Sequence, residues 1–190
     1  MPFRPRRSRP SVLQMAASPA RCPLPAIPDC QTSIVLQDAM VVRDKLEHET
    51  GIVEWRLYWV LAVVLLRAVG HVLDKVDGAS DPRVKRLAGI RYKSWRRGTE
   101  NAIFRDFIEP ERNNILKQYA PTISHGPVPI VAHLQAHDGF DLVRQFLIEE
   151  NLYRPINAGT YEGEDGRALI DEAISWWVHQ LSEIDNAIAD

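Results

Sequence analysis

Residues 57–66 read LYWVLAVVLL, ten residues without a charge, closed by Arg56 and Arg67. A helix that crosses a bilayer needs about 20 consecutive apolar residues. This run is half that length, so it predicts a helix buried in a protein core rather than a membrane span. Trp55, Trp59, Val63, Leu66, Gly70 and Leu73 extend the pattern at helical spacing over about 52–76. The segment is apolar nearly all round between 57 and 66, which marks the central helix of the fold. Leu61 and Leu65 are expected to be fully buried there, each costing about 2–5 kcal/mol on truncation to alanine. Arg67 and His71 follow the run as an i,i+4 polar pair. They either emerge at the edge of the core, the favoured reading, or point into a site.

The chain outside this helix is ordinary for a globular protein, with 45% apolar and 25% charged residues over 190 positions. The net charge is −2, unevenly spread. Residues 1–30 carry Arg4, Arg6, Arg7, Arg9 and Arg21 against Asp29 alone, so the remainder is acidic. An acidic body argues against broad non-specific DNA binding and leaves room for a local basic patch. Residues 1–30 also hold seven of the thirteen prolines and few large apolar groups. A disordered basic tail is expected over 1–30 and a single helical domain over 31–190. The tail reads as solvated chain, as an extension upstream of a start at Met15 or Met40, or as an arginine-rich arm for nucleic acid. Cys22 and Cys30, the only cysteines, fall in the same segment, so neither a disulfide framework nor a cysteine metal site is expected in the body. A cytoplasmic setting follows. Arg6-Arg7 lacks the hydrophobic region of an export signal over 11–20.

Helical spacing recurs through most of 31–120. Thr32-Ser33 is expected to cap a helix over 33–49 whose inner stripe is Val35, Ala39, Val42 and Leu46. Asp77-Gly78-Ala79-Ser80 reads as a turn, with Asp81 as N-cap and Pro82 at the first helical position. The next segment, 83–97, has seven basic residues and no acid: Arg83, Lys85, Arg86, Arg91, Lys93, Arg96 and Arg97. Tyr92 and Trp95 are interleaved. Cations neutralise phosphates and rings stack on unpaired bases, so this is the candidate nucleic-acid surface. The alternative is a solvated helix face whose rings pack inward.

Residues 103–119, IFRDFIEPERNNILKQY, combine an inner stripe (Ile103, Phe104, Phe107, Ile108, Ile115, Leu116) with a dense polar run: Glu109, Glu111, Arg112, Asn113, Asn114 and Lys117. Pro110 is expected to kink or restart the helix. Glycines and prolines punctuate 121–162, where 128–131 is too short to define a strand and 141–151 suggests a short helix. His133 and His137 are i,i+4 with Asp138 adjacent, but no HExxH glutamate accompanies them, so no metal is expected. The last helix, over 163–188, carries Ile170, Ala173, Ile174, Trp177, Leu181, Ile184 and Ile188 on one side. Glu164 and Asp165 suit its positive end. Trp176 and Trp177 point apart, one into the core and the other over an edge or a dimer surface. The expected fold class is all-α, an antiparallel bundle of four to five long helices.

This helix order, with Glu111-Arg112-Asn113 late in the bundle, resembles the HEPN superfamily of nucleotide-binding and RNA-cleaving helical domains. The resemblance covers about 31–120, with 121–162 as an irregular insertion before the last helix. It implies that Arg112 and Asn113 stand where the family's ribonucleases carry their arginine and polar neighbour. Their histidine would fall at 117–119, where this chain has Lys117, Gln118 and Tyr119. A metal-free ribonuclease needs a base near neutrality and a cation for the developing charge. Arginine suits the second task. Lysine, with a reference pKa of about 10.4, holds a phosphate more readily than it removes a proton. The candidate catalytic set is therefore Arg112, Asn113 and Lys117, with Arg112 alternatively pairing Glu109 along its own helix. The resemblance implies a protein that binds RNA or a nucleotide, a homodimer with facing Arg112 sites, and no cofactor. The alternatives are an active metal-independent endoribonuclease of toxin type with an antitoxin-like protein partner, or a non-catalytic interaction protein.

Overall fold

A computed structural model describes residues 30–124, 128–135, 141–148 and 151–189, the two strands through their backbone alone. The tail over 1–29, with its cysteine at 22 and its arginines, lies outside the described residues. The described residues are mostly helical. The helices are α1 (Gln31–His48), α2 (Ile52–Val72), a one-turn α3 (Gly78–Ser80), α4 (Pro82–Trp95), α5 (Glu109–Gln118) and α6 (Gly166–Ala189). Two π-helical turns, Leu73–Asp77 and Ile103–Ile108, lead into α3 and α5.

The start of α1 departs from expectation. Cys30, assigned to the tail from sequence, is buried and is the N-cap: its Sγ accepts the Ser33 N–H at 3.4 Å. Thr32 and Ser33 lie inside the first turn and are buried. Asp77 supplies the other acceptors, taking the Gln31 N–H at 3.1 Å, the Thr32 N–H at 3.0 Å and the Thr32 hydroxyl. A carboxylate at the positive end of a helix satisfies donors that have no intrahelical partner. The inner stripe of α1 is Leu36, Ala39, Val42 and Leu46, with Val35 only partly buried.

Trp55, Trp59, Ala62, Val63, Leu66 and Val69 form the buried side of α2. Leu61, however, is 43% exposed, Leu57 51% exposed, and Leu65 only partly buried. The expectation that Leu61 and Leu65 are fully buried is therefore corrected. The run is apolar all round, but α1, α5 and α6 cover only one side of it. By length and composition the helical run Ile52–Ser80 is long and apolar enough to cross a membrane, with 33% of its most apolar window buried. Leu57 and Leu61 are part of what remains uncovered.

Trp176 and Trp177 are both buried, at 8% and 0% exposure, so the expected division between core and edge does not hold. Trp95 stands 5.5 Å from Trp176 and 5.1 Å from Trp177 between ring centres, and Phe104 stacks on Trp176 at 5.2 Å. The chain from α4 into the second π-helical turn wraps α6, so two of its flanks are covered. Pro110 sits in the first turn of α5 directly after that π-helical turn, a restart of the helix as the missing donor requires. Tyr119, at φ 50°, ends it.

Two antiparallel strands, β1 (Val128–Gln135) and β2 (Asp141–Ile148), pair with Val128 opposite Ile148 and Gln135 opposite Asp141. A strand thus replaces the helix expected over 141–151, and β1 overrides the judgement that 128–131 is too short. The physical reason is pairing: each segment satisfies backbone groups that the other leaves open, which neither segment reveals alone. His133 is on β1, so the helical i,i+4 spacing with His137 does not apply. His137 and Asp138 lie outside the described residues. The chain then returns through Asn151, whose Nδ2 donates to Leu46 O at 2.8 Å, and Arg167, which donates to Asp165 and to the carbonyls of Asn151 and Leu152. Asp165 accepts the Arg167 N–H at 2.8 Å, placing this acid at the start of α6 as the sequence suggested.

Asp185 on α6 carries a buried Oδ2 with no hydrogen bond among the described residues. Burial pushes its carboxyl up to about 6. In the unfolded chain it would ionise near pH 3.9. Between those values the folded state holds more protons than the unfolded one, so the contribution of Asp185 to stability falls as pH rises through that window. Asp185→Asn is expected to stabilise the protein at about pH 7.5 by on the order of 1–2 kcal/mol, with little effect at about pH 4. Urea midpoints at the two pH values check this. A wild-type advantage at the higher pH would refute it.

Candidate functional site

The polar run of α5 divides into anchoring and open groups. Glu111 is 2% exposed, and its carboxylate accepts the Trp59 Nε1–H at 2.8 Å, the Thr122 N–H at 3.0 Å and the Thr122 hydroxyl at 2.6 Å. It ties α5 to α2 and to the chain that follows. Glu109, two positions earlier, faces α2 and α4. It accepts from the Tyr92 hydroxyl at 3.3 Å and lies 3.7 Å from Arg67 and 3.9 Å from Arg96. Arg67 also lies over Phe104 at 5.7 Å and Tyr92 at 6.0 Å, so its guanidinium is held by rings as well as by charge.

Arg112 does not pair with Glu109. Its Nη1 donates to Asn113 Oδ1 at 3.0 Å, and it has no carboxylate partner among the described residues. With Leu116 it forms one wall of a groove of about 270 Å³ whose other wall is Val64, Arg67, Ala68 and His71 of α2. A second depression of about 170 Å³ adjoins it, shared through Arg67 and His71 and bounded by Gly70, Asp74, Ala88, Gly89, Tyr92 and Trp95. The two depressions are shallow and open into each other through Arg67 and His71. Asp74, which lines the second depression, is engaged by Lys85 at 2.7 Å and by Lys75, which together hold its carboxyl below the usual range. The groove beside Arg112 presents an imidazole and two guanidiniums, of which Arg67 faces Glu109 and Arg112 has no carboxylate partner among the described residues.

Of the three residues read as catalytic, Arg112 lines the groove, Asn113 is its hydrogen-bond partner, and Lys117 is exposed and outside the lining. Arg67 and His71, favoured from sequence as a core-edge pair, are the residues the structure brings to Arg112. Their signal was present in the i,i+4 spacing at the end of the apolar run. What covers that end of α2 was not.

The basic segment is similarly sorted. Arg83 pairs with Asp81, its own N-cap, at 2.8 Å, Lys85 with Asp74, and Arg91 with Glu183 of α6 at 3.0 Å. Arg96 lies by Glu109 and over Tyr92. Arg86, Lys93 and Arg97 are exposed and make no ion pair among the described residues. Trp95 is 1% exposed, with its Nε1 donating to Gln180, and Tyr92 is half-buried with its edge to Trp95 and Phe104. These rings pack inward and offer no stacking platform. No group of three His, Cys, Asp or Glu able to hold a metal occurs among the described residues. No family model, curated protein or solved structure matches this chain.

Proposed function

We propose that this protein is a divergent HEPN-like antiparallel helical bundle, cytoplasmic and homodimeric, that binds RNA or a nucleotide without cleaving it. One observation carries the reading: Arg112, unpaired by any carboxylate, shares a groove with Arg67 and His71. A guanidinium presents a fork of donors that matches two phosphate oxygens, and the lack of a competing acid leaves those donors to a ligand. Lys117, at the position where a catalytic histidine would be sought, does not line the groove. The membrane has no part in this reading.

Arg112→Ala is expected to weaken binding of labelled RNA about 10-fold or more, the loss of a charge-assisted hydrogen bond of about 1.5–3 kcal/mol, while leaving the thermal midpoint within a degree or two. Filter retention at low salt and a melting curve measure the two. Loss of stability with unchanged affinity would show that Arg112 is structural. No retention of RNA or nucleotide by the wild type would favour a protein-interaction role instead. A second reading, an active metal-independent endoribonuclease with a protein antitoxin, is favoured by His71, whose imidazole, the side chain most often used as a general base, lines the same groove as Arg112. RNA cleavage lost in both Arg112→Ala and His71→Ala would replace the first reading with this one.

A further inference from the structure

Four of the seven cations in 83–97 pair with acids, and Arg86, Lys93 and Arg97 make no ion pair among the described residues. Arg86, Lys93 and Arg97 recur at spacings of seven and four, which bring residues of a helix back to nearly the same face. Ile90, 58% exposed, lies between them on that face. Arg97 is just past the end of α4, yet it lines a shallow depression with Ile90, Lys93, Ser94, Gly98 and Glu100, so the chain keeps it beside Lys93. Glu100, the one acid on that rim, is hydrogen-bonded to Asn101 Nδ2 at 3.1 Å. The opposite side of α4, with Ala88, Tyr92 and Trp95, turns toward the core and the Arg67–His71 cleft.

We infer that the outer face of α4, formed by Arg86, Lys93 and Arg97 around Ile90, is a tracking surface for the backbone of single-stranded RNA. The inference rests on the proposal of RNA binding and adds a second, separate contact to it. At about 1.5 Å of rise per residue, Arg86 and Lys93 are about 10 Å apart along the axis, and Arg97, past the helix end, shares a depression with Lys93. Such a row of cations lets an extended strand place several of its phosphates along one face. Exposed Ile90 offers an aliphatic surface to an unpaired base, which a duplex would conceal. With Tyr92 and Trp95 turned inward, binding here is dominated by phosphate charge and tolerant of sequence. A mononucleotide needs only the Arg112 groove, while the α4 face engages only a longer strand.

The test compares two probes, uridine monophosphate and a short mixed-sequence single-stranded RNA, on the full chain. The triple variant Arg86→Gln, Lys93→Gln, Arg97→Gln should bind the mononucleotide as the wild type does. For the RNA, the salt slope should fall by about 2, three phosphate contacts at about 0.7 each. Over a fourfold rise in salt, from about 50 to 200 mM, that slope change corresponds to roughly 20-fold less salt sensitivity. Restoring charge with Arg86→Lys and Arg97→Lys should recover much of the slope, and an unchanged melting midpoint shows that the fold is intact. An unchanged RNA slope in the triple variant, with Arg112→Ala still weakening both probes, overturns the α4 surface and leaves the groove standing. Displacement of the RNA by polyglutamate at equal charge concentration would also overturn it, by pointing to an acidic protein. Failure of the wild type to bind either probe removes both proposals together.

Discussion

Trp177→Ala is expected to lower the unfolding free energy by about 3–5 kcal/mol, the usual range for a large aromatic removed from a packed core. Trp177 is fully buried, with rings of Trp95, Phe104 and Trp176 within 4.7 to 6.0 Å of its own. Gly70 of α2 stands so close that a Cβ there would lie 2.8 Å from the Trp177 ring, so the indole fills the space between α2 and α6 with no slack. Alanine would leave a cavity that rigid neighbouring rings close poorly. Trp177→Phe should cost much less, because it keeps a ring and removes an indole N–H that has no hydrogen-bond partner among the described residues. Urea titrations of both variants measure the difference. A loss under about 1 kcal/mol for the alanine variant would mean that the aromatic cluster is not the centre of the core.

Glu111→Ala should be almost as damaging, at about 3–4 kcal/mol, for a different reason. Three donors converge on this carboxylate: the Trp59 indole N–H, the Thr122 N–H and the Thr122 hydroxyl. Alanine strands them, and each buried donor without a partner costs about 1–3 kcal/mol. Water entering the space recovers part of that loss, so the individual costs do not sum. Glu111→Gln retains an oxygen acceptor and should lose less than half as much. Because Glu111 points away from the Arg112 groove, a Glu111→Gln protein that remains folded should bind RNA as the wild type does. A thermal melt and a retention assay on the same preparation give both results. Lost binding in a folded Glu111→Gln protein would place Glu111 in the site rather than beneath it.

The two effects also separate neighbours in sequence. Glu111 and Arg112 are adjacent, yet one is buried under α5 and the other faces solvent across a groove. The helix turns about 100° per residue, so consecutive polar residues necessarily serve different surroundings.

Much of the helical content was legible from the sequence alone. The apolar spacing of α1, α2 and α6, the Asp81-Pro82 start of α4, the restart at Pro110 and the acid opening of α6 are local signals, carried by side chains a turn apart. The inward stripe of α6, from Ile170 through Ile184, is set in the same way. Local periodicity also identified Arg67 and His71 as a pair and Arg112 as a cation in a polar run.

Only the tertiary structure decided what each helix face meets. Leu57 and Leu61 are as apolar as Leu66, but no element among the described residues covers them, so composition overstates their burial. Cys30 and Asp77, one read as tail and the other as turn, cap α1 because the chain brings them to its first turn. The β1–β2 hairpin exists through pairing between segments, a relation absent from either segment's own spacing. The charges behave alike: seven cations in 83–97 look equivalent in sequence, and acids at 74, 81, 109 and 183, most of them distant in the chain, lie beside four and leave three with no ion pair among the described residues. Glu109 is drawn to Arg67, Arg96 and Tyr92, and Arg112 is left without a carboxylate partner among the described residues. Electrostatic partners are chosen by distance in space, and a sequence records only distance along the chain.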